Sequence, residues 1–391
     1  MSAAVNQTSR PVLPPVELVV VGAGIVGLAH AVEAHSRGLS VVVVERDERA
    51  VGASIRNFGH ICATAQQGRA YDYAQLSREQ WISLAGKAGF DVQATGTVIA
   101  ARHDDEVAVL REFAEQRGAT QVCLLDRAGV ESHLPTRDES VIAGAWLPMD
   151  LRVDPRAAVP AIANWLAAEG VKFRYGESVQ AFEPGLVRTN GGDIRCDRVI
   201  VAVGHDVDRL FPDIAKSIDM QRCVLHMLQV EAPQGGLYAP AVLSGLSILR
   251  YAGLASCPSA VAVRERFARD SPELLDVGMN LMFTQRPDGD LVVGDTHTYA
   301  TTHDPFKDDA LDDLILRESA RLLGVSALNV RLRWRGVYAS SSQTDFLNSP
   351  AYERVRVVSV TSGIGLTTAF GLAADVLDDF LTDQAPATNR E

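Results

Sequence analysis

The apolar positions near the N-terminus form two short, unbroken runs with a helical pattern between them. Residues 17–21 (ELVVV) and 40–46 (SVVVVER) are β-branched runs typical of buried parallel strands. Between them, residues 28–38 repeat apolar positions at helical spacing, and Gly38 is a typical helix stop. The succession of strand, helix and strand predicts a βαβ unit.

Comparable patterns recur further along the chain and predict additional elements. Residues 171–203 indicate a strand, a hairpin with an NGG turn at 190–192, and a buried strand that stops at Gly204. Residues 354–381 indicate a strand, a glycine turn and an amphipathic helix. Further strands are predicted at 221–231, 279–285 and 291–297, and an amphipathic helix is predicted at 308–323.

Composition is that of a globular protein of two or three domains. The 391 residues are 47% hydrophobic and 22% charged, which argues against a disordered, fibrous or membrane-spanning chain. The net charge of −12 disfavours a nucleic-acid partner, because an acidic surface repels phosphate backbones. It does not exclude a small anionic substrate, since a pocket can be locally basic.

The N-terminal segment and the cysteines indicate the compartment. Residues 1–15 hold three prolines and are predicted to form a disordered tail. The apolar run 18–28 is too short to span a bilayer. Five scattered cysteines without CxxC spacing favour reduced thiols and disfavour zinc, so no metal is expected. We therefore expect a cytoplasmic monomer or homodimer without a membrane partner.

The turn between the first strand and the first helix carries the signature of a dinucleotide site. Gly22 permits a tight turn, Gly24 lets the backbone approach a pyrophosphate, and Gly27 lets the helix pack on the strand. Free N–H groups at the helix N-terminus favour the phosphates, and Glu45 is placed to accept hydrogen bonds from a ribose. The acid favours FAD or NAD over NADP. The alternative is a tight βα turn with no ligand.

Two later segments favour FAD over NAD. Residues 52–61 (GASIRNFGHI) form a small-residue loop that suits close approach to a second flat cofactor portion. Gly363 and Gly365 open the last helix, so its N–H groups and dipole would favour the negative charge of a reduced flavin. Simple helix entry without a ligand is the alternative for this turn.

The order of these features resembles the D-amino-acid oxidase (DAO) family of flavoproteins, which includes glycine oxidase and monomeric sarcosine oxidase. A narrower resemblance, to flavin oxidoreductases associated with bacterial phosphonate catabolism, is carried by four segments. They are GASIRNFGHI (52–61), SILRYAG (247–253), GDTHTY with the following HDPF (294–306) and RWRGVYAS (333–340).

The resemblance implies an architecture that combines α/β and α+β structure. A discontinuous Rossmann-like FAD-binding domain of the glutathione-reductase-like type would hold an inserted antiparallel-sheet substrate domain. The expected FAD-binding segments are 16–90, 145–220 and 335–385. The expected substrate-domain segments are 91–144 and 221–334.

The resemblance also implies the cofactor site. Noncovalent FAD is expected, because no cysteine follows Cys257 to form the C-terminal cysteinyl link of monomeric sarcosine oxidase; a histidyl link through His60 is the alternative. The expected FAD-binding residues are Gly22, Gly24, Ile25, Val26, Gly27, Glu45, Arg46, Ser54, Asn57, Gly59, His60, Val179, Gly204, Gly363, Ile364, Gly365, Leu366 and Thr367.

The candidate catalytic residues lie in the same four segments. Arginine offers a planar fork of donors suited to carboxylate or phosphonate oxygens. Each candidate also has a structural alternative, such as bracing a loop or packing at a domain junction. The candidates are Arg56, His60, Arg250, Tyr251, His297 and Arg335, with His226, Tyr299, Trp334 and Tyr338 as further pocket candidates, Gln343, Thr344 and Asp345 at the rim, and His303 with Asp304 as a capping pair.

The implied function is oxidation of a C–N bond in a small anionic amine. The resemblance implies an aminophosphonate such as (N-methyl-)2-aminoethylphosphonate, with hydride transfer to flavin N5 and hydrolysis of the imine to an aldehyde and an amine. Oxygen or a quinone would be the electron acceptor. The alternatives are an oxidase of glycine, sarcosine or a D-amino acid, and a non-catalytic dinucleotide-binding module.

Overall fold

A computed structural model describes residues 14–382 of the chain. Most of the predicted tail, residues 1–13, lies outside the described residues. The strands are β1 (Val16–Val21), β2 (Val41–Glu45), β3 (His60–Ile61), β4 (Val92–Gln93), β5 (Thr97–Ala101), β6 (Cys123–Asp126), β7 (Ala143–Leu147), β8 (Leu151–Val153), β9 (Lys172–Tyr175), β10 (Val179–Glu183), β11 (Leu186–Thr189), β12 (Ile194–Val201), β13 (Gln221–Val230), β14 (Ala241–Ser244), β15 (Met282–Gln285), β16 (Leu291–Ala300), β17 (Val330–Ser340), β18 (Phe346–Tyr352) and β19 (Val355–Val360).

The helices connect and cover these strands. They are α1 (Ile25–Ser36), α2 (Gly68–Ala88), α3 (Asp104–Arg117), α4 (Arg127–His133), α5 (Pro155–Ala168), α6 (Val207–Leu210), α7 (Pro212–Ser217), α8 (Gly245–Ile248), α9 (Ala252–Ala255), α10 (Ala260–Asp270), α11 (Pro272–Asp276), α12 (Asp309–Leu323) and α13 (Gly365–Thr382). The predicted βαβ unit, the hairpin and the two amphipathic helices are all present.

The first sheet is built on parallel strands in the order β9-β2-β1-β12-β19. The strands β1, β2, β12 and β19 are rich in β-branched residues, and Val19, Val20, Val42 and Val43 are fully buried because helices and further strands cover both faces. The hairpin β10-β11 joins β12, and β18 joins β19, by antiparallel pairing. This topology places the carboxyl ends of β1, β2 and β12 side by side at one edge.

Helices α1, α2, α5 and α13 cover one face of this sheet in a single apolar core. The last helix is fastened to α2 by two hydrogen bonds: Trp81 Nε1 donates to the Leu366 carbonyl at 2.9 Å, and Ser77 Oγ accepts from Gly371 N at 3.0 Å. These contacts fix α13, including its N-terminal turn, against α2.

The second sheet has eight strands in the order β17-β13-β16-β15-β14-β5-β7-β6. Its pairs are antiparallel, as expected for the substrate domain, except for β14 and β5, which run parallel. β7 and β17 extend across the predicted domain limits at 145 and 335, and the domain division stays a prediction. A small third sheet, β3-β8-β4, lies beside the loop that precedes β3.

Candidate active site

A cavity of about 1120 Å³ runs between the first and second sheets. It starts at the β1–α1 turn and the end of β2, passes the loop before β3 and the N-terminus of α13, and ends against β13, β16 and β17. Most of the predicted site residues line it: Gly22, Gly24, Ile25, Val26, Glu45, Arg46, Ser54, Arg56, Asn57, His60, Val179, Gly204, Arg250, Tyr251, His297, Gly363, Ile364, Gly365, Leu366 and Thr367.

The glycines at the first end of the cavity are needed for close packing. Gly22 has a φ of +105°, and a Cβ there would lie 2.4 Å from the Ala202 carbonyl oxygen. A Cβ at Gly27 would lie 1.9 Å from the Gly22 carbonyl oxygen. Gly27 does not line the cavity itself, so its part is to let α1 pack on β1.

Glu45 lies at the carboxyl end of β2 and holds the glycine turn. Its carboxylate accepts hydrogen bonds from Ala23 N at 2.8 Å and from Asp47 N at 3.0 Å. The neighbouring Arg46 forms an ion pair with Asp206 at 2.6 Å. Carboxylate oxygens have further lone pairs, so Glu45 can still accept from a ribose hydroxyl.

The loop before β3 is fastened to α1 and to itself. Ser54 Oγ accepts from Ile25 N at 2.8 Å at the start of α1. Asn57 donates to the carbonyls of Ala53 and Ser54 and accepts from Gly59 N at 2.7 Å. Gly59 faces away from the cavity, and a Cβ there would lie 1.9 Å from the Val153 carbonyl oxygen. Gly59 therefore shapes the loop rather than contacting a cofactor.

The turn before α13 gives the cavity a second helix N-terminus. Gly363 has a φ of +79°, and a Cβ at this position would lie 2.9 Å from the Tyr338 ring. Beside it the Ser362 hydroxyl lines the cavity and is buried without a hydrogen-bond partner in the structure. Two helix N-termini, an acid after β2 and an unpaired hydroxyl fit a long dinucleotide with phosphates and polar ring edges, as FAD has.

At the far end, Arg250 is bound by two tyrosines. Its Nη1 donates to Tyr299 Oη at 2.8 Å and its Nη2 to Tyr338 Oη at 2.6 Å. Strand register explains the arrangement, because Cys223 of β13 pairs with Tyr299 of β16 on one side and Tyr338 of β17 on the other. The small Cys223 separates the two tyrosines, and burial raises the pKa of its thiol to about 11.

Arg250 remains charged in this environment. Burial alone would lower the pKa of its guanidinium, but Tyr338, Tyr299 and Asp295 act in the opposite direction and the net pKa is raised. Only two of its five N–H donors are engaged by the tyrosines, and the side chain keeps accessible surface in the cavity wall. A charged arginine with unused donors is suited to an anionic ligand.

A buried acid lies near this arginine. Burial raises the pKa of Asp295 to about 7, although Arg250 and a hydrogen bond from Asn280 act to lower it. Burial and the charge of Arg250 lower the pKa of His297 to about 3, so this imidazole is neutral. His297 Nδ1 lies 2.7 Å from the Gly278 carbonyl, to which it donates.

His60 ends a buried hydrogen-bonded chain that the sequence did not indicate. Its Nε2 lies 2.7 Å from Thr97 Oγ1, and Thr97 Oγ1 donates to Asp150 Oδ2 at 2.8 Å. Since Thr97 has a single hydroxyl proton and gives it to Asp150, His60 Nε2 must be the donor to Thr97. The other ring nitrogen of His60, Nδ1, is buried and has no hydrogen-bond partner among residues 14–382.

Three potential metal ligands lie together in the same region. His60, Cys62 and Asp150 each place one ligand atom within 4.8 Å of the others. The oxygens of Asp150 accept hydrogen bonds from Thr64 N and Thr97 Oγ1, and burial raises the pKa of the Cys62 thiol well above its usual value. In the structure His60, Thr97 and Asp150 form one buried hydrogen-bonded cluster.

Replacing Thr97 by valine tests the hydrogen-bonded chain from His60 through Thr97 to Asp150. The change leaves buried His60 Nε2 and Asp150 Oδ2 without their shared partner, and we expect the free energy of unfolding to fall by about 1–3 kcal/mol. Urea denaturation followed by circular dichroism measures it. The matched variant Thr301→Val, at an exposed position, should change stability little. Equal stability of the two variants would contradict the hydrogen-bonded chain.

Several predicted pocket residues lie elsewhere. Arg335 does not line the cavity, because its guanidinium donates to the carbonyls of Asp304, Pro305 and Phe306; the expectation that it contacts flavin or substrate is corrected. His226 pairs with buried Asp312 at 3.4 Å, and His303 bonds the Arg222 carbonyl at 2.7 Å. Gln343, Thr344 and Trp334 also lie outside the lining, whereas Asp345 and both tyrosines of the Arg250 cluster belong to it.

Arg56 lies at the edge of the cavity. It is exposed, and its Nη1 is 3.5 Å from the Arg335 carbonyl, a weak contact that leaves most of its donors unengaged. Tyr251 is in the wall, with its ring 6.3 Å from that of His60 in an edge-to-face contact. No helix within residues 14–382 has the combination of length and apolarity needed to cross a bilayer.

A nucleotide-binding βαβ unit that opens on a cavity with a polar far end defines a dinucleotide-dependent oxidoreductase. The family model "FAD dependent oxidoreductase", DAO, matches residues 17–378. The chain therefore belongs to the DAO family of FAD-dependent oxidoreductases, and FAD is its cofactor.

Individual relatives are distant in sequence and close in fold. The chain is 28% identical over 212 residues to the bifunctional protein ThiO/ThiG of Nostoc sp., a match that covers 50% of this chain and 32% of the relative. Among solved structures, L-proline dehydrogenase from P. horikoshii matches with a TM-score of 0.77 at 21% identity and glycine oxidase from Geobacillus kaustophilus with 0.75 at 18%, each over 96% of both chains. These matches confirm the expected family fold. The chain spans about a third of the length of the first curated relatives it matches.

Proposed function

We propose that this protein oxidises the C–N bond of a small amine that also carries an anionic group. The observation that carries the proposal is the cluster of Arg250, Tyr299 and Tyr338 inside the same cavity as the predicted FAD-binding residues. A permanently charged guanidinium in a cavity wall, with three N–H donors still unengaged, favours an anion as ligand.

An aminophosphonate is the first candidate substrate. Each tyrosine oxygen accepts from Arg250, so its own hydroxyl proton is free to turn from Cys223 towards a ligand. Donors from three side chains on different elements can surround a tetrahedral phosphonate with three oxygens, whereas a planar carboxylate has only two. The phosphonate preference also draws on the resemblance of the four segments described above.

An amino acid with a carboxylate is the second candidate. The guanidinium fork of Arg250 suits a carboxylate equally well in two-point contact. The fold matches include proteins named for glycine and L-proline. A non-catalytic dinucleotide-binding module would have no use for a charged arginine and a buried acid at the end of the cavity.

The reaction draws different contributions from cofactor and chain. Bound FAD supplies the acceptor for the hydride that leaves the carbon next to the nitrogen. Gly22, Glu45 and the N-termini of α1 and α13 would hold it, and the dipole of α13 would favour negative charge beside the N-terminus of this helix. Arg250 and the tyrosines fix the anion and thereby orient the amine carbon. Loss of the hydride from the neutral amine leaves an iminium cation, and water hydrolyses this cation to a carbonyl compound and the protonated amine.

Other predictions accompany this proposal. We propose the expected division into an FAD-binding and a substrate domain, with noncovalent FAD. The cytoplasmic location, an O2 or quinone acceptor and a monomer or homodimer stay predictions from the sequence.

An anaerobic substrate screen tests the proposed function. Purified holoenzyme is mixed with 2-aminoethylphosphonate, its N-methyl derivative, glycine, sarcosine and D-alanine, and bleaching of the flavin absorbance is followed. We expect the phosphonates to reduce the flavin fastest. If glycine, sarcosine or D-alanine reduces the flavin faster than the phosphonates do, the substrate is an amino acid. If no amine reduces the flavin, the proposal is overturned.

A further inference from the structure

The face of β16 that lines the cavity presents three polar side chains in a row. Asp295, His297 and Tyr299 stand at every second position of β16, which carries a bulge between Gly294 and Thr296. The rings of His297 and Tyr299 stack with their centroids 6.4 Å apart. All three line the cavity. Tyr299 holds Arg250 at one end of the row, so the anion-binding cluster continues directly into Asp295 and His297.

The two residues beyond the tyrosine offer hydrogen-bond acceptors that face each other. His297 Nε2 and Asp295 Oδ2 lie 3.8 Å apart. His297 Nδ1 holds the ring proton because it donates to the Gly278 carbonyl, so Nε2 of the neutral ring is a bare acceptor. Asp295 Oδ1 accepts from Asn280 Nδ2 at 3.2 Å, and no other side chain within residues 14–382 donates a hydrogen bond to Oδ2.

Two acceptors at this distance lack a donor between them. When Asp295 is ionised, its carboxylate and the neutral imidazole nitrogen of His297 cannot bond each other, because neither has a proton to give. A primary or secondary ammonium has two or three N–H donors and a positive charge, and so satisfies both acceptors at once. The row on β16 thus matches a zwitterion, with its anion at Arg250 and its ammonium at the other end.

We propose that Asp295 and His297 form the amine-binding subsite of the proposed reaction, and that Asp295 Oδ2 takes the proton of the bound ammonium. In this step the N–H bond breaks, its electron pair stays on nitrogen, and the proton forms an O–H bond with Asp295. The product is the neutral amine, whose nitrogen lone pair can assist loss of hydride from the adjacent carbon. His297 Nε2 accepts a second N–H and orients the nitrogen.

The surroundings of Asp295 allow it to exchange a proton near neutral pH. Arg250, His297 and Asn280 contact or face it, and Cys223 and Tyr251 lie within electrostatic range. Burial opposes the carboxylate while Arg250 favours it, and the resulting pKa is about 7. Below pH 7 the free protein therefore carries a neutral acid, and we expect the affinity for the ammonium to fall as the pH drops through 7.

The test compares two ligands that differ only in the amine. Anaerobic stopped-flow measurements with 2-aminoethylphosphonate separate its Kd from the rate of flavin reduction, and perturbation of the flavin spectrum gives the Kd of ethylphosphonate. In Asp295→Asn we expect the Kd of the aminated ligand to rise about 30-fold through loss of the charge pair. The Kd of ethylphosphonate should stay the same or fall. In the unchanged protein we expect the Kd of the aminated ligand to rise and flavin reduction to slow as the pH drops below 7. In Asp295→Asn this pH dependence should be absent.

A matched pair at position 297 tests the second acceptor. Asparagine can keep the donor to the Gly278 carbonyl but has no atom at the place of Nε2, whereas glutamine can place its amide oxygen there. We expect His297→Asn to weaken the aminated ligand about tenfold and His297→Gln to restore part of the affinity. If the substrate screen shows that the substrate is a carboxylate, the same comparison is made with glycine as the aminated ligand and acetate as the ligand without an amine.

The outcomes separate this subsite from the proposed function on which it rests. If the unchanged protein is reduced by an amine and Asp295→Asn weakens both ligands alike, or neither, the amine subsite is wrong while the function stands. If the unchanged holoenzyme binds neither member of either pair and no amine reduces it, the proposed function fails and the subsite fails with it.

Discussion

Replacing Arg250 by methionine is expected to lower kcat/KM for the anionic amine by roughly a hundred- to a thousandfold. Methionine keeps the length and much of the apolar volume of the arginine stem but removes all five donors. The substrate anion then loses its charged partner, and the hydroxyls of Tyr299 and Tyr338 lose the donors at 2.8 and 2.6 Å that position them. Steady-state kinetics with the best amine of the screen measures the loss.

The control is the same substitution at Arg335. Its guanidinium donates to three carbonyls of the loop at 304–306 and lies outside the cavity, so Arg335→Met should leave kcat/KM within about threefold of the unchanged protein. If Arg250→Met retained its kcat/KM, or if both variants lost it equally, Arg250 would not be the anion anchor.

Replacing Gly27 by alanine is expected to abolish stable FAD binding. The added Cβ would lie 1.9 Å from the Gly22 carbonyl oxygen in the β1–α1 turn and 3.3 Å from Val20 Cγ1 in the buried strand β1. The helix must move outward, so its N-terminus leaves the position that favours the cofactor phosphates. We expect FAD affinity to fall about a hundredfold or more and the free energy of unfolding to fall by about 3 kcal/mol. Flavin fluorescence after gel filtration and thermal denaturation measure the two effects.

Gly86→Ala is the matched control for this variant. Gly86 lies in the exposed part of α2, and a Cβ there would meet no atom within 4 Å. Alanine at such a helix position should stabilise the protein by about 0.5–1 kcal/mol and leave the flavin bound. A yellow, fully loaded Gly27→Ala protein would show that α1 tolerates the displacement.

Those elements of the fold that depend on short sequence patterns could be predicted well. The βαβ unit, the hairpin before Gly204 and helix α13 follow from apolar runs and glycines within short windows, and the structure confirms them. The strand pairing of the second sheet could not be predicted in the same way. The parallel pair β14–β5 joins residues more than 140 positions apart, and no local pattern reports such a contact.

The residues of the candidate site also fall into those that the sequence could predict and those that it could not. Gly22, Glu45 and Gly363 could be found because each belongs to a strand-turn-helix pattern whose geometry is local. Asp295, Thr97 and Asp150 had no such signal, since an acid or a threonine in a strand gives no hint of burial beside a cavity. Arg335 was placed in the cavity by the pattern of its segment, whereas β17 directs it to a neighbouring loop.

The sequence by itself determined the class of protein. The phosphate-binding β1–α1 turn is built from backbone atoms and glycines that lie within about 25 residues of one another, so a local pattern is enough to identify it. Only the tertiary structure decided how the far end of the cavity is built. Tyr299, Cys223 and Tyr338 come from three strands and meet through register, and Arg250 reaches them from the segment after α8. A site assembled from side chains so distant along the chain forms only when the whole sheet folds. A local sequence pattern carries no information about such long-range strand pairing.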